Sequence, residues 1–485
     1  MTKVKRVAPI IFLSILFAYI FFYRLDYNTL ESFDEAWYAS IAREIAKTGD
    51  FMNLVWNGKP YYDHPPMGFW LMAISYKLFG VNEFATRFPS AILGLFSIYL
   101  VYKIGSELLG KKTLGFASSL ILGTSVWYVI RVRSGNLESA FMFFYLLTLF
   151  LSLKAKKNFN FFPLTLLSFG ALILTKTLIG FSAGFFILFF NIREILNIKK
   201  NFVLIFIGFF LFTLLVVPWY RLHLEKYPDF YQYHFIHKGA RDKTLNSYFQ
   251  LKLEQPLFYI HMGMRKWYRL WQVSLPLVIF NCLLIFFKKK KKQARELLKI
   301  NIFLILWNFI ILYPFLTSEQ TELWHLIPTY LPMAFLIPQG FYYSGQTFFD
   351  LIFKKTKYEF IFNIFFLLGV IYLAGVQIFN FRKEVFPQSK YETDQVDIVR
   401  KVLKYNKKIF LDIDYLPVAV FYSGRKIETL IYEASGEATF ARLFETDGGN
   451  VVGITKNWVI EDLEKKKFPF KLLEKNNTYS IISKL

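Results

Sequence analysis

The sequence predicts a mainly α-helical, polytopic membrane protein with a small α/β domain at its C-terminal end. Apolar residues make up 55% of the 485 residues, and phenylalanine alone contributes 58, more than soluble proteins usually carry. Up to residue 380, apolar runs recur that approach the roughly 20 residues a helix needs to cross a bilayer. Beyond residue 380 the chain is less apolar, and strand-like runs alternate with amphipathic helical patterns.

The apolar runs predict eleven membrane spans. The first run has the length of a span and lacks a small-residue cleavage site, so we interpret it as a retained helix rather than a signal peptide. The predicted spans lie near residues 8–24, 88–109, 113–130, 138–153, 159–175, 177–192, 202–219, 267–287, 298–316, 324–343 and 358–380.

Lysine and arginine residues in the short loops predict the orientation of the chain. Cytoplasmic loops carry an excess of these residues, so the basic stretch before the first span places the N-terminus inside. Every second loop is then also cytoplasmic, and with eleven spans the C-terminus lies outside, as do two long segments at 25–87 and 220–266. The basic residues of the cytoplasmic segments are Lys3, Lys5, Arg6, Lys111, Lys112, Lys154, Lys156, Lys157, Arg193, Lys199, Lys200, Lys288 to Lys292, Lys354, Lys355 and Lys357.

The net charge of +23 is accounted for mainly by these loops, so no nucleic-acid partner is needed to explain it. Cys282 is the only cysteine, which excludes an intramolecular disulfide and a cysteine-based metal cluster. The sequence contains no P-loop and no Rossmann glycine pattern, so ATP-driven transport by this chain is not expected.

Residues 381–485 are predicted to form a separate soluble α/β domain on the outer side, after a membrane domain of residues 1–380. The predicted strands are Lys408–Asp414, Val418–Tyr422, Lys426–Tyr432 and Val451–Thr455. The predicted helices are Thr393–Tyr405, Glu437–Glu445 and Asn457–Lys466.

The first outer segment contains a candidate catalytic carboxylate. Ser32 and Glu35 have capping-box spacing, and the apolar stripe from Trp37 to Ile45 predicts an amphipathic helix at the membrane surface. Asp34 would lie in the first turn, where the helix macrodipole favours an ionised carboxylate that can accept a proton from a hydroxyl. The alternative is that an acidic residue here simply stabilises the first turn.

Further polar residues lie at the outer ends of the predicted spans. Asp63 and His64 precede two prolines that fix a turn before a second amphipathic helix; the pair can bind a metal or a phosphate, or be an ordinary loop feature. Arg131, Arg133 and Glu138 lie between the third and fourth spans, where charges are costly unless they are paired or functional. An interfacial Arg–Glu pair is the alternative there.

Lys176 lies between two apolar runs, where it can extend to the interface or bind a lipid phosphate. In the predicted topology, all six histidines lie on or near the outer face, which favours an outward-facing polar site. They are His64, His223, His234, His237, His261 and His325.

The run Asp34-Glu35-Ala36-Trp37-Tyr38-Ala39 resembles the aspartate motif of the C-type membrane glycosyltransferases, in the branch of the protein O-mannosyltransferases and lipid A aminoarabinose transferases. Six more stretches resemble that branch in the same order, so the resemblance covers about residues 8–380. It implies about eleven to thirteen spans and an outer soluble domain. The stretches are Asp63-His64-Pro65-Pro66, Asn82 to Ser90, Arg133 to Glu138, Thr175-Lys176, Pro218-Trp219-Tyr220, and Leu326-Ile327-Pro328 with Pro332.

The resemblance implies catalytic roles for Asp34 and for Glu138, which stands where the branch usually has aspartate. His64 stands where the aminoarabinose transferases carry lysine, so its charge would depend on pH. Thr177 replaces the usual glycine, and Trp324-His325 departs from the usual His-Tyr. The implied substrate-binding residues are Glu35, Tyr38, Lys59, Tyr62, His64, Arg87, Arg131, Arg133 and Lys176, with Lys176 on the donor phosphate. A divalent metal (zinc, magnesium or manganese) is implied at Asp63, His237 and His325.

The predicted function is that of an inverting glycosyltransferase of the cytoplasmic (inner) membrane. It would take a hexose or pentose from a polyprenyl-phosphate carrier and pass it to lipid A, a protein or a surface glycan on the outer face. A transporter or lipid flippase without covalent chemistry is the alternative, but it would favour charges near mid-membrane, whereas these cluster at the outer span ends. A structural protein that binds a partner through its outer domain would leave Asp34, Glu138 and Lys176 unexplained.

Overall fold

The computed structural model of the protein describes residues 3–30, 34–240, 249–263, 266–287, 291–318, 322–353, 359–412 and 415–485. Ser32 of the predicted capping box lies outside the described residues. The helices before residue 386 are α1 (Lys3–Phe22), α2 (Asp34–Thr48), α3 (Met67–Phe79), α4 (Glu83–Leu108), α5 (Lys112–Gly123), α6 (Val126–Val132), α7 (Glu138–Lys157), α8 (Phe162–Ile173), α9 (Thr177–Phe181), α10 (Gly184–Leu196), α11 (Ile198–Lys226), α12 (Glu254–Phe258), α13 (Lys266–Phe287), α14 (Lys291–Leu316), α15 (Tyr330–Phe353) and α16 (Glu359–Val385).

Shorter elements join these helices. A two-residue hairpin pairs β1 (Val55–Trp56) with β2 (Lys59–Pro60) in antiparallel register. Tyr231–Ala240 is π-helical, and Leu323–Thr329 forms a 3₁₀-helix immediately before α15. Both segments contribute side chains to the cavity described below.

Each of the eleven predicted spans overlaps at least one helix, which confirms a multi-pass helical membrane protein. Within the described residues, six helical stretches are long and apolar enough to cross a membrane, and a bent pair of helices would add a seventh. The predicted count of eleven therefore stays a prediction. The six stretches are Glu83–Leu108, Glu138–Lys157, Leu178–Leu196, Ile198–Lys226, Arg295–Leu316 and Glu359–Val385.

The third predicted span, 113–130, is not a continuous helix. Helices α5 and α6 meet at an angle of 70°. Two hydroxyl side chains at the break bond back to carbonyls of the preceding turn, an arrangement that favours helix bending. Thr124 Oγ1 donates to Leu120 O and Ser125 Oγ donates to Ile121 O, both at 2.6 Å. The bend redirects α6, whose last turn carries Arg131.

The membrane part packs around α4, α5 and α7, with α8 joining α7 to α11 and α15 packing on both α13 and α5. Small residues allow the closest approach: a Cβ on Gly105 would lie 2.9 Å from Gly115 Cα, as is common where helices cross within a membrane. Trp307 and Tyr145 are fully buried in the centre of this bundle. On α11, phenylalanines stay exposed, as expected for a surface that faces lipid.

Helix α2 is amphipathic, as the sequence predicted. Its apolar face buries Tyr38, Ile41 and Ile45 against α3 and the C-terminal part of the chain. This packing fixes the helix whose first residue is Asp34.

The C-terminal part contains five strands: β3 (Lys408–Leu411), β4 (Ile427–Thr429), β5 (Val451–Lys456), β6 (Lys471–Lys475) and β7 (Tyr479–Ser483). They form one sheet in the order β4-β3-β5-β7-β6. Strands β3, β4 and β5 are parallel, and β7 runs antiparallel to β5 and β6. The small α/β domain is therefore confirmed. Its helices are α17 (Asp394–Val402), α18 (Leu416–Ser423), α19 (Gly436–Asp447) and α20 (Asn457–Lys465).

One predicted strand of this domain, Val418–Tyr422, is wrong, because these residues lie in α18. Pro417 occupies the first turn of that helix and Gly424 ends it in the left-handed region, at φ 67°, which are typical start and stop residues of a helix. A short apolar run does not distinguish a buried helix from a strand. Strands β6 and β7 were not predicted.

The C-terminal domain packs against the first outer segment. The Arg43 guanidinium donates to the carbonyls of Phe421 and Val420 at the end of α18. The Tyr422 hydroxyl donates to Glu83 Oε1 and accepts from Leu30 N, both at 2.8 Å. These contacts join the domain to the helix that carries Asp34.

Candidate active site

A cavity of about 450 Å³ opens beside the N-terminal ends of α2, α7 and α9. Its wall is polar on the side of the outer segments and apolar on the side of α7, α9 and α14. The polar lining residues are Asp34, Tyr38, Asp63, His64, Glu138, Lys176, Ser182, His234, Lys238, Trp324 and His325. The apolar ones are Phe141, Met142, Leu178, Ile179, Ile310, Pro314, Phe315, Ile327 and Pro328.

Asp34 presents a carboxylate to this cavity from the first turn of α2. The side chain is 42% exposed, and its Oδ2 atom lies 3.9 Å from Arg131 Nη1. Burial, and next the nearby Glu138 carboxylate, raise the pKa of Asp34 above its ordinary value of 3.8. A carboxylate with a raised pKa is a stronger proton acceptor once it is ionised, which suits a general base.

Tyr38 lies one turn after Asp34 and lines the same wall. Burial raises the pKa of Tyr38 well above its ordinary value of 10.0, so the phenol keeps its proton and can donate a hydrogen bond. Its ring packs edge-on against the rings of His64 and Phe69. Tyr38 therefore both shapes the cavity and adds a donor beside Asp34.

Glu138 and Lys176 form an ion pair on the cavity wall, with Lys176 Nζ 2.9 Å from Glu138 Oε1. Glu138 begins α7, and its backbone N–H donates to Asn136 Oδ1. Lys176 precedes α9 in extended conformation. Within the described residues the buried Oε2 atom of Glu138 has no hydrogen-bond partner, so it can accept from a hydroxyl group of a ligand.

His64 lines the same cavity from the loop before α3. Burial, and then the charge of Lys176, lower its pKa from 6.5 to about 3. The ring is therefore neutral near pH 7. His64 can donate one hydrogen bond to a ligand, but it is not the cation that a phosphate requires.

Of two residues in the π-helical segment, sequence reasoning missed Lys238 and placed His234 only on or near the outer face. Lys238 Nζ lies 2.9 Å from Asp63 Oδ2, and the Nδ1 atom of His234 bonds to the Tyr62 carbonyl at 2.6 Å. Both line the cavity. Their spacing of four residues places them on one face of a helical segment, and this was the available signal in the sequence.

The structure does not bring the three predicted metal ligands together. Asp63 is paired with Lys238, whereas His237 is exposed, packs near the Tyr233 ring and does not line the cavity. His325 lines it, but its Nδ1 atom accepts from Glu322 N at 2.9 Å, so a neutral ring carries its proton on the other nitrogen and has no lone pair left for a metal. Among the residues that the structure describes, no three His, Cys, Asp or Glu side chains form a metal-binding group.

Glu35 and Arg87, predicted to bind substrate, form a buried ion pair outside the cavity, with Arg87 Nε 2.8 Å from Glu35 Oε1. Arg87 also donates to the carbonyls of Leu25 and Asn28, and Glu35 accepts from Gly135 N. A Cβ on Gly135 would lie 2.5 Å from Thr86 Cγ2, so only glycine fits this close approach. The cluster holds the first turn of α2 in place.

Four other predicted substrate-binding residues also lie outside the cavity lining. Arg133 donates to the carbonyls at the end of α1, Lys59 is exposed in the β1–β2 hairpin, and the Tyr62 hydroxyl donates to Asp229 Oδ2. Arg131 is closest to the cavity, because it contacts Asp34 and lies 5.5 Å from the Trp324 ring.

Comparison with known proteins shows what this chain is similar to. A family model described as dolichyl-phosphate-mannose-protein mannosyltransferase matches residues 63–220. The undecaprenyl phosphate-alpha-4-amino-4-deoxy-L-arabinose arabinosyl transferase of Aeromonas hydrophila is 28% identical over 356 residues, 70% of this chain and 60% of that protein. An uncharacterized protein of Aquifex aeolicus is 28% identical over 385 residues, 76% of this chain and 69% of that one.

The fold is also that of solved structures. ArnT from Cupriavidus metallidurans in the apo state matches with a TM-score of 0.70 at 14% identity, over 99% of this chain and 98% of that one. The archaeal oligosaccharyltransferase AglB from Archaeoglobus fulgidus matches with a TM-score of 0.55 at 9% identity, over 94% of this chain and 70% of that one.

These matches confirm the resemblance to the C-type membrane glycosyltransferases, in the branch of the protein O-mannosyltransferases and aminoarabinose transferases. The chain spans about 60% of the length of the Aeromonas hydrophila arabinosyl transferase.

Proposed function

We propose that this chain is an integral-membrane, inverting glycosyltransferase that moves a sugar from a polyprenyl-phosphate carrier to an acceptor on the outer face of the cytoplasmic membrane. The observation that carries the proposal is one cavity in which the Asp34 carboxylate faces the Lys176 ammonium beside an apolar wall from α7, α9 and α14. The carboxylate can accept the proton of an acceptor hydroxyl, and the cation can bind a phosphate. The apolar surface can bind a lipid chain. An ArnT structure of the same fold, with a TM-score of 0.67, is bound to undecaprenyl phosphate.

The chemistry is a single displacement. Asp34 takes the proton of the acceptor hydroxyl as its oxygen bonds to the anomeric carbon of the sugar. The bond between that carbon and the phosphate oxygen breaks, and the polyprenyl phosphate leaves with the electron pair. Lys176 stabilises the negative charge that develops on the phosphate.

Glu138 orients the reactants in this scheme. Its Oε1 atom holds Lys176, and its second carboxylate oxygen, Oε2, accepts from a sugar hydroxyl. Hexose or pentose donors and lipid A, protein or surface-glycan acceptors are all compatible with this geometry.

The test is sugar transfer by purified full-length protein in detergent, with labelled polyprenyl-phosphate sugar and an envelope extract as the source of acceptors. Asp34→Asn should lower kcat at least about a hundredfold, as expected for loss of a general base. Asp26→Asn is the matched control, because Asp26 is exposed in the same outer segment. Equal transfer by wild type and Asp34→Asn would disprove the catalytic role. Carrier movement across the bilayer of reconstituted liposomes, without a new glycosidic bond, would favour a flippase.

A further inference from the structure

Lys238 pairs with Asp63, one of the three residues for which the family resemblance implies a metal ion. Its ammonium lies 2.9 Å from Asp63 Oδ2, where the Asp63 side chain is only 14% exposed and that of Lys238 is 43% exposed. The lysine comes from the π-helical segment and reaches across to the loop before α3. A cation therefore neutralises Asp63 from within the chain itself.

The two lysines of the cavity come from different elements. Lys176 comes from the loop before α9 and Lys238 from the π-helical segment, and both act electrostatically on the His64 ring. Each lysine is held by one carboxylate, Glu138 or Asp63, and each keeps an accessible side. An ammonium group has three donors, so a lysine can stay on its carboxylate and still donate to a phosphate.

We propose that Lys238 is a second phosphate-binding residue of this cavity, positioned by Asp63 in place of a bound metal ion. The inference rests on the proposed function and deepens it, because it names how the phosphate of the carrier is held. With Lys176, it gives a phosphate two cations on two separate elements. Lys238 has a flexible stem and is about half accessible, so its ammonium can follow the phosphate as charge builds up there.

The experiment measures the binding of farnesyl phosphate, a short polyprenyl phosphate, to the full-length protein in detergent. Lys238→Gln should weaken binding about tenfold, the loss expected for one hydrogen bond to a charged group. Lys238→Arg should restore most of the affinity because it keeps the charge. Farnesol has the same chain without the phosphate, and its binding should not change in either variant.

Lys404→Gln is the matched control, since Lys404 is an exposed lysine that pairs with Glu474 in the C-terminal domain. Equal loss of farnesol and farnesyl phosphate binding in Lys238→Gln would mean a packing defect and would overturn the proposal. Unchanged farnesyl phosphate binding in Lys238→Gln would overturn it as well.

Asp63→Asn separates a lysine-held site from a metal site. Asparagine keeps an acceptor oxygen for Lys238 but lacks the charge of a metal-binding carboxylate. If Asp63 only positions Lys238, the variant should therefore bind farnesyl phosphate about as well as wild type. Metal analysis after incubation with zinc and desalting should then show less than one zinc per wild-type chain. One bound zinc that Asp63→Asn removes would overturn the proposal.

Lys238-dependent binding without sugar transfer by wild type would support the phosphate site and count against the proposed function.

Discussion

At the scale of single residues, the charged groups of the cavity act on one another. The Asp34 carboxylate lies 3.9 Å from the Arg131 guanidinium, and Glu138 pairs with Lys176 on the same wall. The protonation state of Asp34 therefore depends on Glu138 as well as on burial.

The raised pKa of Asp34 predicts the pH dependence of sugar transfer. A general base works only when ionised, so kcat/KM should fall as the pH drops through a midpoint above 3.8, the ordinary pKa of the group. Glu138→Gln removes a charge that raises this pKa, so its midpoint should move to lower pH, whatever the loss of rate. The measurement is kcat/KM against pH for both proteins.

Glu225→Gln is the control for this profile. Glu225 is exposed and pairs with Arg221 on α11, away from the cavity lining, so its profile should match that of wild type. A midpoint that stays in place in Glu138→Gln would show that Asp34 does not control the acid limb.

The sequence identified the side chains whose neighbours along the chain form a pattern. Asp34, Glu138 and Lys176 stand in short motifs, and the structure brings all three to one cavity. Lys238 was missed because the carboxylate that it pairs with lies far away in the sequence. A buried arginine and a substrate-binding arginine look the same in sequence, so the motif did not show that Arg87 lies in a buried ion pair outside this cavity.

At the scale of elements, periodicity predicted helices well and failed where side chains act on the backbone. Every apolar run contains helix, but the third run is broken in two at Thr124 and Ser125, whose hydroxyls bond to backbone carbonyls. The same local effect appears in α18, where Pro417 and Gly424 enclose a short run that is otherwise strand-like. Burial periodicity does not contain this information, because it reports which face is covered rather than how the backbone bends.

The position of α2 depends on the Glu35–Arg87 ion pair, so breaking it should destabilise the protein. Glu35→Ala leaves a buried guanidinium without its carboxylate, a change that costs about 3 kcal/mol when such a pair is broken. The expected result is a lower Tm in a detergent thermal-unfolding assay. Glu392→Ala removes an exposed partner of Arg400 and should cost less than about 1 kcal/mol. Equal Tm values for the two variants would contradict a structural role for Glu35.

At the scale of the whole molecule, ion pairs and domain contacts bear on the arrangement of the chain across the membrane. Asn57 exchanges two hydrogen bonds with Ile427, so the C-terminal domain and the first outer segment lie on the same side. Since one predicted span precedes that segment, the chain must then contain an odd number of spans, as eleven is. Two loops predicted to be cytoplasmic are also tied together, because Lys111 pairs with Glu359 at 2.6 Å.

This arrangement predicts which positions an impermeant reagent reaches in intact cells. Cysteines are placed one at a time, after Cys282→Ser, at exposed positions: Asp26 and Lys404 outside, Lys112 and Lys157 inside. An impermeant maleimide should label the first two in intact spheroplasts and the last two only after permeabilisation. Because the domain contact joins the first pair physically, positions 26 and 404 must respond alike. Labelling of 157 in intact spheroplasts would place the opposite face outside, and the cavity would then open towards the cytoplasm.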